Sequence, residues 1–327
     1  MKFHPLFLAI PLLSIVSAVA SAQKTIPPAS FKSGETFFYR IHLKIDRDIK
    51  TKSALSLPQT PMEANIDVQG ILQVDVLPRD ASSPAPVHLR TWFLALISDL
   101  SILPRGAKPG DGTGQRVPAK EKFIDCTLEP SGEIDQIVGL DALAPEQQQA
   151  WQEWAARFAA PFLIESQNRK RGEKWSSEEL ETTPSPLADL RWQKKSQYVR
   201  DEPCFALRFA RNAEFQNAPN SQSCATVIST ATLQQKSSPQ DATPPDYKQH
   251  ALRTRGVATG NNDVILSISR KTGQLVRATQ NAKQHMDVVI ALASGATKVH
   301  YDINATARSS VELVTDLPLM LQPNPPK

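Results

Sequence analysis

Aromatic residues make up only 6% of this chain of 327 residues, against 40% hydrophobic residues overall, so its core must be mostly aliphatic. Cysteine occurs three times, at Cys126, Cys204 and Cys224. No Cys-x-x-Cys pair exists, which argues against a dithiol redox motif and a zinc knuckle. His42, His88, His250, His285 and His300 are far apart, and no His-x3-His or His-Glu-x2-His spacing offers a metal site. A Gly-x-Ser-x-Gly elbow, a Ser-x2-Lys pair and a glycine-rich nucleotide fingerprint are all missing. Asp111-Gly112-Thr113-Gly114 lacks the Asp-Thr/Ser-Gly order of an aspartic-protease loop. The acid pairs Glu178-Glu179 and Asp201-Glu202 lie in polar runs, where ordinary carboxylate pKa values are expected. A strong charge of one sign is also lacking. The net charge is +4, and the densest basic run, Arg169-Lys170-Arg171, meets Gly172 and Glu173 at once. That reads as a solvated loop rather than a nucleic-acid surface. The sequence therefore assigns no catalytic residue, no cofactor and no metal.

What is present begins with an address. Lys2 and His4 precede an apolar run from Leu6 to Val16, and small residues follow, ending in Ala20-Ser21-Ala22. A basic start, a short apolar run and an A-x-A-like site are the marks of a secretory signal peptide, with removal expected after Ala22. The run is too short to span a bilayer comfortably and contains Pro11. Gln23 follows the cut, so lipid attachment at a new N-terminal cysteine is not supported. The expected location is therefore secreted or periplasmic. Such a compartment permits one disulfide, and Cys204 and Cys224, each at the margin of a strand-like segment, are the expected pair. Cys126 shares a face with Ile124 and Leu128, so it is expected to be a buried thiol.

Strand periodicity dominates the remainder. Phe37, Tyr39, Ile41, Leu43 and Ile45 alternate with Phe38, Arg40, His42 and Lys44. The pattern returns at Ile66 to Val76, at Val264 to Ile268, at Met286 to Leu292 and at Val299 to Ile303. One oily face and one charged face describe half-buried antiparallel strands. Hairpins are expected around Gly132 and Gly273. From Pro145 to Ala160 the period changes: Trp151, Trp154, Ala155, Phe158 and Ala159 are spaced three and four apart. This predicts one amphipathic helix, over about 145–160, that begins at Pro145, ends before Pro161 and packs on a sheet. Pro104 to Pro118 reads as a glycine-rich surface excursion and Ser237 to Asp246 as a polar connector. The proline-rich tail from Pro318 is expected to be disordered.

The two halves look alike. Gly34-Glu35-Thr36-Phe37 opens the strands of the first and Gly172-Glu173-Lys174-Trp175 those of the second. From opening glycine to hairpin glycine the separations are 98 residues (Gly34 to Gly132) and 101 residues (Gly172 to Gly273). The expected organisation is a leader over 1–22, a β-rich half with the helix over 23–168, a second β-rich half over 169–317, and a tail over 318–327.

Pro161-Phe162-Leu163 followed by Arg171-Gly172-Glu173-Lys174-Trp175 resembles a signature of bacterial envelope proteins of unknown function. In these a helix leads to a Gly-acid-x-Trp strand start, a cysteine-containing β-region and a Gly-x-Leu hairpin. The later parts here are Cys204 with Cys224, and Gly273-Gln274-Leu275. The resemblance spans roughly Gly34 to Val314. It implies a duplicated, β-rich extracytoplasmic domain, and it brings no catalytic residue.

The fold expected is mainly β: curved antiparallel sheets, half-barrel-like and internally duplicated, with the one helix laid across. The expected function is a non-catalytic extracytoplasmic binding module for a lipid or other apolar ligand. Two alternatives stand beside it: an envelope interaction protein with a filled core, and a hydrolase whose site is scattered in sequence. Expected partners are an apolar ligand or an envelope protein. Nucleic acid is not among them, and no membrane span is expected once the leader is removed.

Overall fold

The computed structural model describes residues 25–53, 61–78, 86–104, 122–165, 169–181, 185–209, 215–295 and 298–316. The leader with its cleavage site, nearly all of the glycine-rich excursion with Asp111, and the tail lie outside the described residues.

The period-two segments form strands. The first half gives β1 (Thr36–Ser53), β2 (Met62–Val76), β3 (Val87–Pro104), β4 (Ile124–Leu128) and β5 (Ile134–Val138). A short 3-10 turn at Leu140–Ala142 leads into α1 (Pro145–Glu165). The second half gives β6 (Lys174–Leu180), β7 (Leu190–Phe209), β8 (Phe215–Gln235), β9 (Leu252–Ser269), β10 (Leu275–Leu292) and β11 (Lys298–Asp316). A short helix α2 (Pro245–Gln249) precedes β9. Among the described residues, eleven strands join one sheet in the order β5-β4-β3-β2-β1-β11-β10-β9-β8-β7-β6. Across the sheet this is a single meander from β6 to β11, then to β1 and out to β5. The edges are β5 and β6, and α1 is the chain that connects them. The sheet is not closed into a barrel.

The sheet must curve to bury its apolar face. Strands lie about 4.8 Å apart, so eleven laid flat would span far more than the width of one helix, about 10 Å. Yet Cys126 and Leu128 of β4, Tyr198 of β7 and Ala225 of β8 all belong to one cluster with Trp151, Trp154 and Phe158 of α1. The sheet therefore wraps the helix. Its inner face holds Tyr39, Ile41 and Leu43 of β1, Val68 and Leu72 of β2, Val311 of β11, and Leu266 of β9, all buried. The outer face carries cross-strand ion pairs: His42–Asp67 at 3.2 Å, Arg90–Asp125 at 2.7 Å, Arg191–Glu178 at 2.8 Å and His300–Asp287 at 3.0 Å.

At one end the second half curls upon itself. β7 pairs with β11 through Val314 and Leu207 in addition to its bonds with β8. Five strands in antiparallel succession leave the first and fifth pointing the same way, so this extra pairing is parallel. Irregularities in β7 beyond Tyr198 and beyond Pro203 bend it toward β11. Cys204 and Cys224 are joined inside this curl, with Cα atoms 4.9 Å apart, and pack with Ala206 and Val276.

The helix runs further than expected. It continues through Pro161 to Glu165. Phe162 and Ile164 are buried, and Phe31 stacks on Phe162 at 5.8 Å. Burial of those side chains outweighs the single backbone hydrogen bond that Pro161 removes. At the start, Gln147 reaches back to accept a hydrogen bond from the Ala144 amide, the second half of a capping box. The Ser237–Asp246 segment is also more than a polar connector. Ala242 and Thr243 are buried, and the Ala242 carbonyl accepts from the Ala188 amide. With Leu187, Leu190 and Met286, Ala242 packs a second apolar cluster at the opposite end of the long strands.

The resemblance between halves extends to hydrogen bonds. The Glu35 carboxylate accepts from the Lys32 amide and the Glu173 carboxylate from the Lys170 amide, both at 2.9 Å. Gly34 and Gly172 sit at φ +82° and +84°. Each then donates its amide to the strand alongside, to the carbonyls of Val76 and Tyr198 respectively. The same four-residue turn thus opens β1 and β6.

Candidate functional site

The helix fills one end of the inner face apart from a pocket along the seam between the sheet edges. Trp151, Trp154 and Phe158 are buried there, and Trp151 donates its indole N–H to Thr91 at 2.9 Å. A strap over 25–31 seals this end. Ile26 and Phe31 are buried, the Ile26 amide bonds to Arg169, and the Ser30 amide bonds to Thr272. Arg270 reaches the Thr25 carbonyl, pairs with Asp201 at 3.5 Å and lies over the Tyr198 ring. Burial, with a hydrogen bond to Asp201 beside it, pushes the Tyr198 phenol pKa up. Burial alone does the same at Tyr39, whose hydroxyl donates to the Leu275 carbonyl.

Between the helix and the far cluster the inner face is not covered. Strand register sets its lining in transverse rows. One row runs Leu100, Ile66, Ile45, Ala307, Ala282, Asn262, Ala231 and Lys194. The next runs Ile102, Ala64, Arg47, Ala305, Gln284, Gly260, Leu233 and Trp192. The middle of this trough is floored by small residues, and its β2–β3 wall is apolar. Met62, Leu100 and Ile102 on that wall remain 41%, 38% and 58% exposed. A pocket of about 250 Å³ adjoins the trough at the seam between the sheet edges. Ala155, Ala156, Ala159 and Ala160 of α1 floor it, with Ile134 on one side and Val264 and Leu266 on the other. Lys194, paired with Glu179 at 2.9 Å, stands at its rim and also in the trough row of Asn262.

Among the described residues, His42, His88, His285 and His300 face away from this trough. His42 and His300 face acids on the outer surface, His285 meets Asn304 at 3.1 Å there, and His88 meets Thr127 at 3.1 Å. Among the described residues no group of three or more His, Cys, Asp or Glu side chains is placed to hold a metal ion. Two acids expected to titrate normally do not. Hydrogen bonding from Arg191 holds the Glu178 carboxyl below its usual range, and Thr226 does so for Glu202. The alternation of Tyr39, Ile41, Leu43 and Ile45, carried two residues further, places Arg47 on the inner face.

No family model matches the chain. No curated protein matches it either. Two solved structures are similar over most of its length. An outer membrane channel from Pseudomonas putida F1 is 9% identical, with 88% of this chain and 97% of that chain covered and a TM-score of 0.20. OccK11 (OpdR) from Pseudomonas aeruginosa is 7% identical, with 86% and 99% covered and a TM-score of 0.20. At such scores neither likeness transfers any property to this chain.

Proposed function

We propose that this is an extracytoplasmic, non-catalytic binding protein whose trough and seam pocket hold an apolar ligand. The observation that carries the reading is the uncovered inner wall. Large apolar side chains on a concave face, at Met62, Leu100 and Ile102, are left half in water where an occupant would desolvate them. The seam pocket alone, at about 250 Å³, falls just below the usual range for ligand sites, so it serves as one end of a longer site. The leader ending at Ala22 supplies the route out of the cytoplasm. The buried disulfide fits an oxidising compartment. The packing of Trp151, Trp154 and Phe158 gives the competing scaffold reading its support, because that face of α1 has no room for a guest.

A neutral fluorescent probe, N-phenyl-1-naphthylamine, tests the reading. Saturable binding that is insensitive to salt and is lost in Ala305→Trp, which fills the trough floor, is the expected result. Absence of saturable binding by the folded protein overturns it in favour of the scaffold. Hydrolysis of an ester, peptide or glycan that one His or Asp substitution abolishes overturns both.

A further inference from the structure

Arg47 is half-buried on the inner face, between Ala64 of β2 and Ala305 of β11 in register. Among the described residues its side chain makes no hydrogen bond, ion pair or ring contact. Other cations that face this interior have acids: Arg157 bonds Glu153 at 2.7 Å and Lys194 bonds Glu179 at 2.9 Å. A guanidinium stays charged, and a charge drawn partly out of water without a counter-charge is unfavourable. Burial accordingly draws the Arg47 pKa below its ordinary value.

The surroundings limit what could neutralise it. Gln284 stands in the same transverse row, two strands away across Ala305, and it too has no partner among the described residues. One row nearer the helix, the Asn262 side-chain oxygen is buried with no hydrogen-bond partner. Between these groups lie only the small side chains of Ala305, Ala307 and Ala282, and the Trp192 ring stands over Gly260 at the far end of the row. Ile45, Ile49 and Ile66 continue from Arg47 into the exposed wall at Leu100 and Ile102.

We infer that the trough binds a single-chain long fatty acid, its carboxylate on Arg47 and its acyl chain along the β1–β3 wall. This rests on the apolar-ligand reading above and names its head group. The guanidinium fork matches a carboxylate, and an amide can present its N–H2 to the remaining lone pairs after a half-turn of the side chain. One unpaired cation among neutral amides suits a single negative charge. A phosphate monoester would bring a second charge with nothing to meet it.

The test uses the whole folded protein and calorimetric titration with palmitate, hexadecan-1-ol and hexadecyl phosphate. Palmitate is expected to bind more tightly than the alcohol or the phosphate. Arg47→Gln should weaken palmitate about tenfold or more, the loss of one charge-assisted hydrogen-bonded pair. It should leave hexadecan-1-ol unchanged, and Arg47→Lys should retain part of the preference. Equal affinity for palmitate and alcohol, or palmitate affinity indifferent to Arg47→Gln, overturns this inference while leaving the neutral-probe result standing. Tighter binding of hexadecyl phosphate overturns the carboxylate assignment. Failure of the neutral probe and the alcohol together overturns the apolar-ligand reading itself.

Discussion

At the residue scale, burial sorts identical side chains into different chemistries. Cys204 and Cys224 are close enough to bond, whereas Cys126 is alone and buried on β4. Burial pushes the Cys126 thiol up to about 12. It should therefore stay unreactive toward 5,5′-dithiobis(2-nitrobenzoate) in the native protein and label at once in urea; prompt native labelling would place it in solvent. Gly273 shows a different constraint. It sits at φ +69°, and a Cβ there would run into the Pro27 and Pro28 carbonyl oxygens. Gly34 has a similar φ with nothing within 4 Å. Both alanine variants strain the backbone, by about 1–3 kcal/mol, but only Gly273→Ala must also push away the strap that seals the helix end. Urea denaturation should show the larger loss for Gly273→Ala. Equal losses would mean that the strap is not held there. The left-handed turns were legible from glycine placement, but the strap was not, because no local pattern says which turn a distant segment will cover.

At the scale of elements, alternation along the chain named the strands and the three-four spacing named the helix. Trp154 packs against Phe158 at 4.9 Å and Tyr39 at 6.4 Å. Trp154→Ala should cost about 3–5 kcal/mol in urea denaturation, as deletion of a large core side chain does. A loss below about 1 kcal/mol would be incompatible with the packed end described above. The helix runs past Pro161 for a physical reason. Proline is a strong local signal, but Phe162 and Ile164 beyond it find Phe31 and the sheet, contacts that no window of neighbouring residues contains. The strand lengths had the same limit. Arg47 lies on a face set by parity, and parity persists along β1 because its register with β2 and β11 has no irregularity.

At the scale of the whole molecule, the disulfide and the surface pairs act on the folding equilibrium. The Cys204–Cys224 bridge closes a loop across 20 residues of sequence. In the chain-entropy account its removal costs about 3 kcal/mol, so Cys204→Ser with Cys224→Ser should lower the urea midpoint correspondingly. No change in midpoint would mean that the curl is held by β7–β11 pairing alone. Hydrogen bonds from Arg90 hold the Asp125 carboxyl below its usual range. A lowered folded pKa contributes stability above the unfolded value, about 4, and loses it as pH falls through the folded value. The pair is well exposed, so the effect is small. Asp125→Asn should slightly flatten the fall in urea midpoint between about pH 5 and pH 3; an unchanged slope would assign the acid sensitivity to other carboxylates.

The sequence by itself determined the β class, the two strand faces, the helix position, the choice of disulfide partners and the recurring turn, because each depends on neighbours within a few residues or on which side chains avoid water. Tertiary structure alone decided that β1 lies beside β11, that α1 occupies the seam between β5 and β6, and that Arg47, Gln284 and Asn262 share one uncovered trough. Those juxtapositions depend on how far the sheet curves and which strands meet across it, quantities fixed by packing the whole apolar face at once.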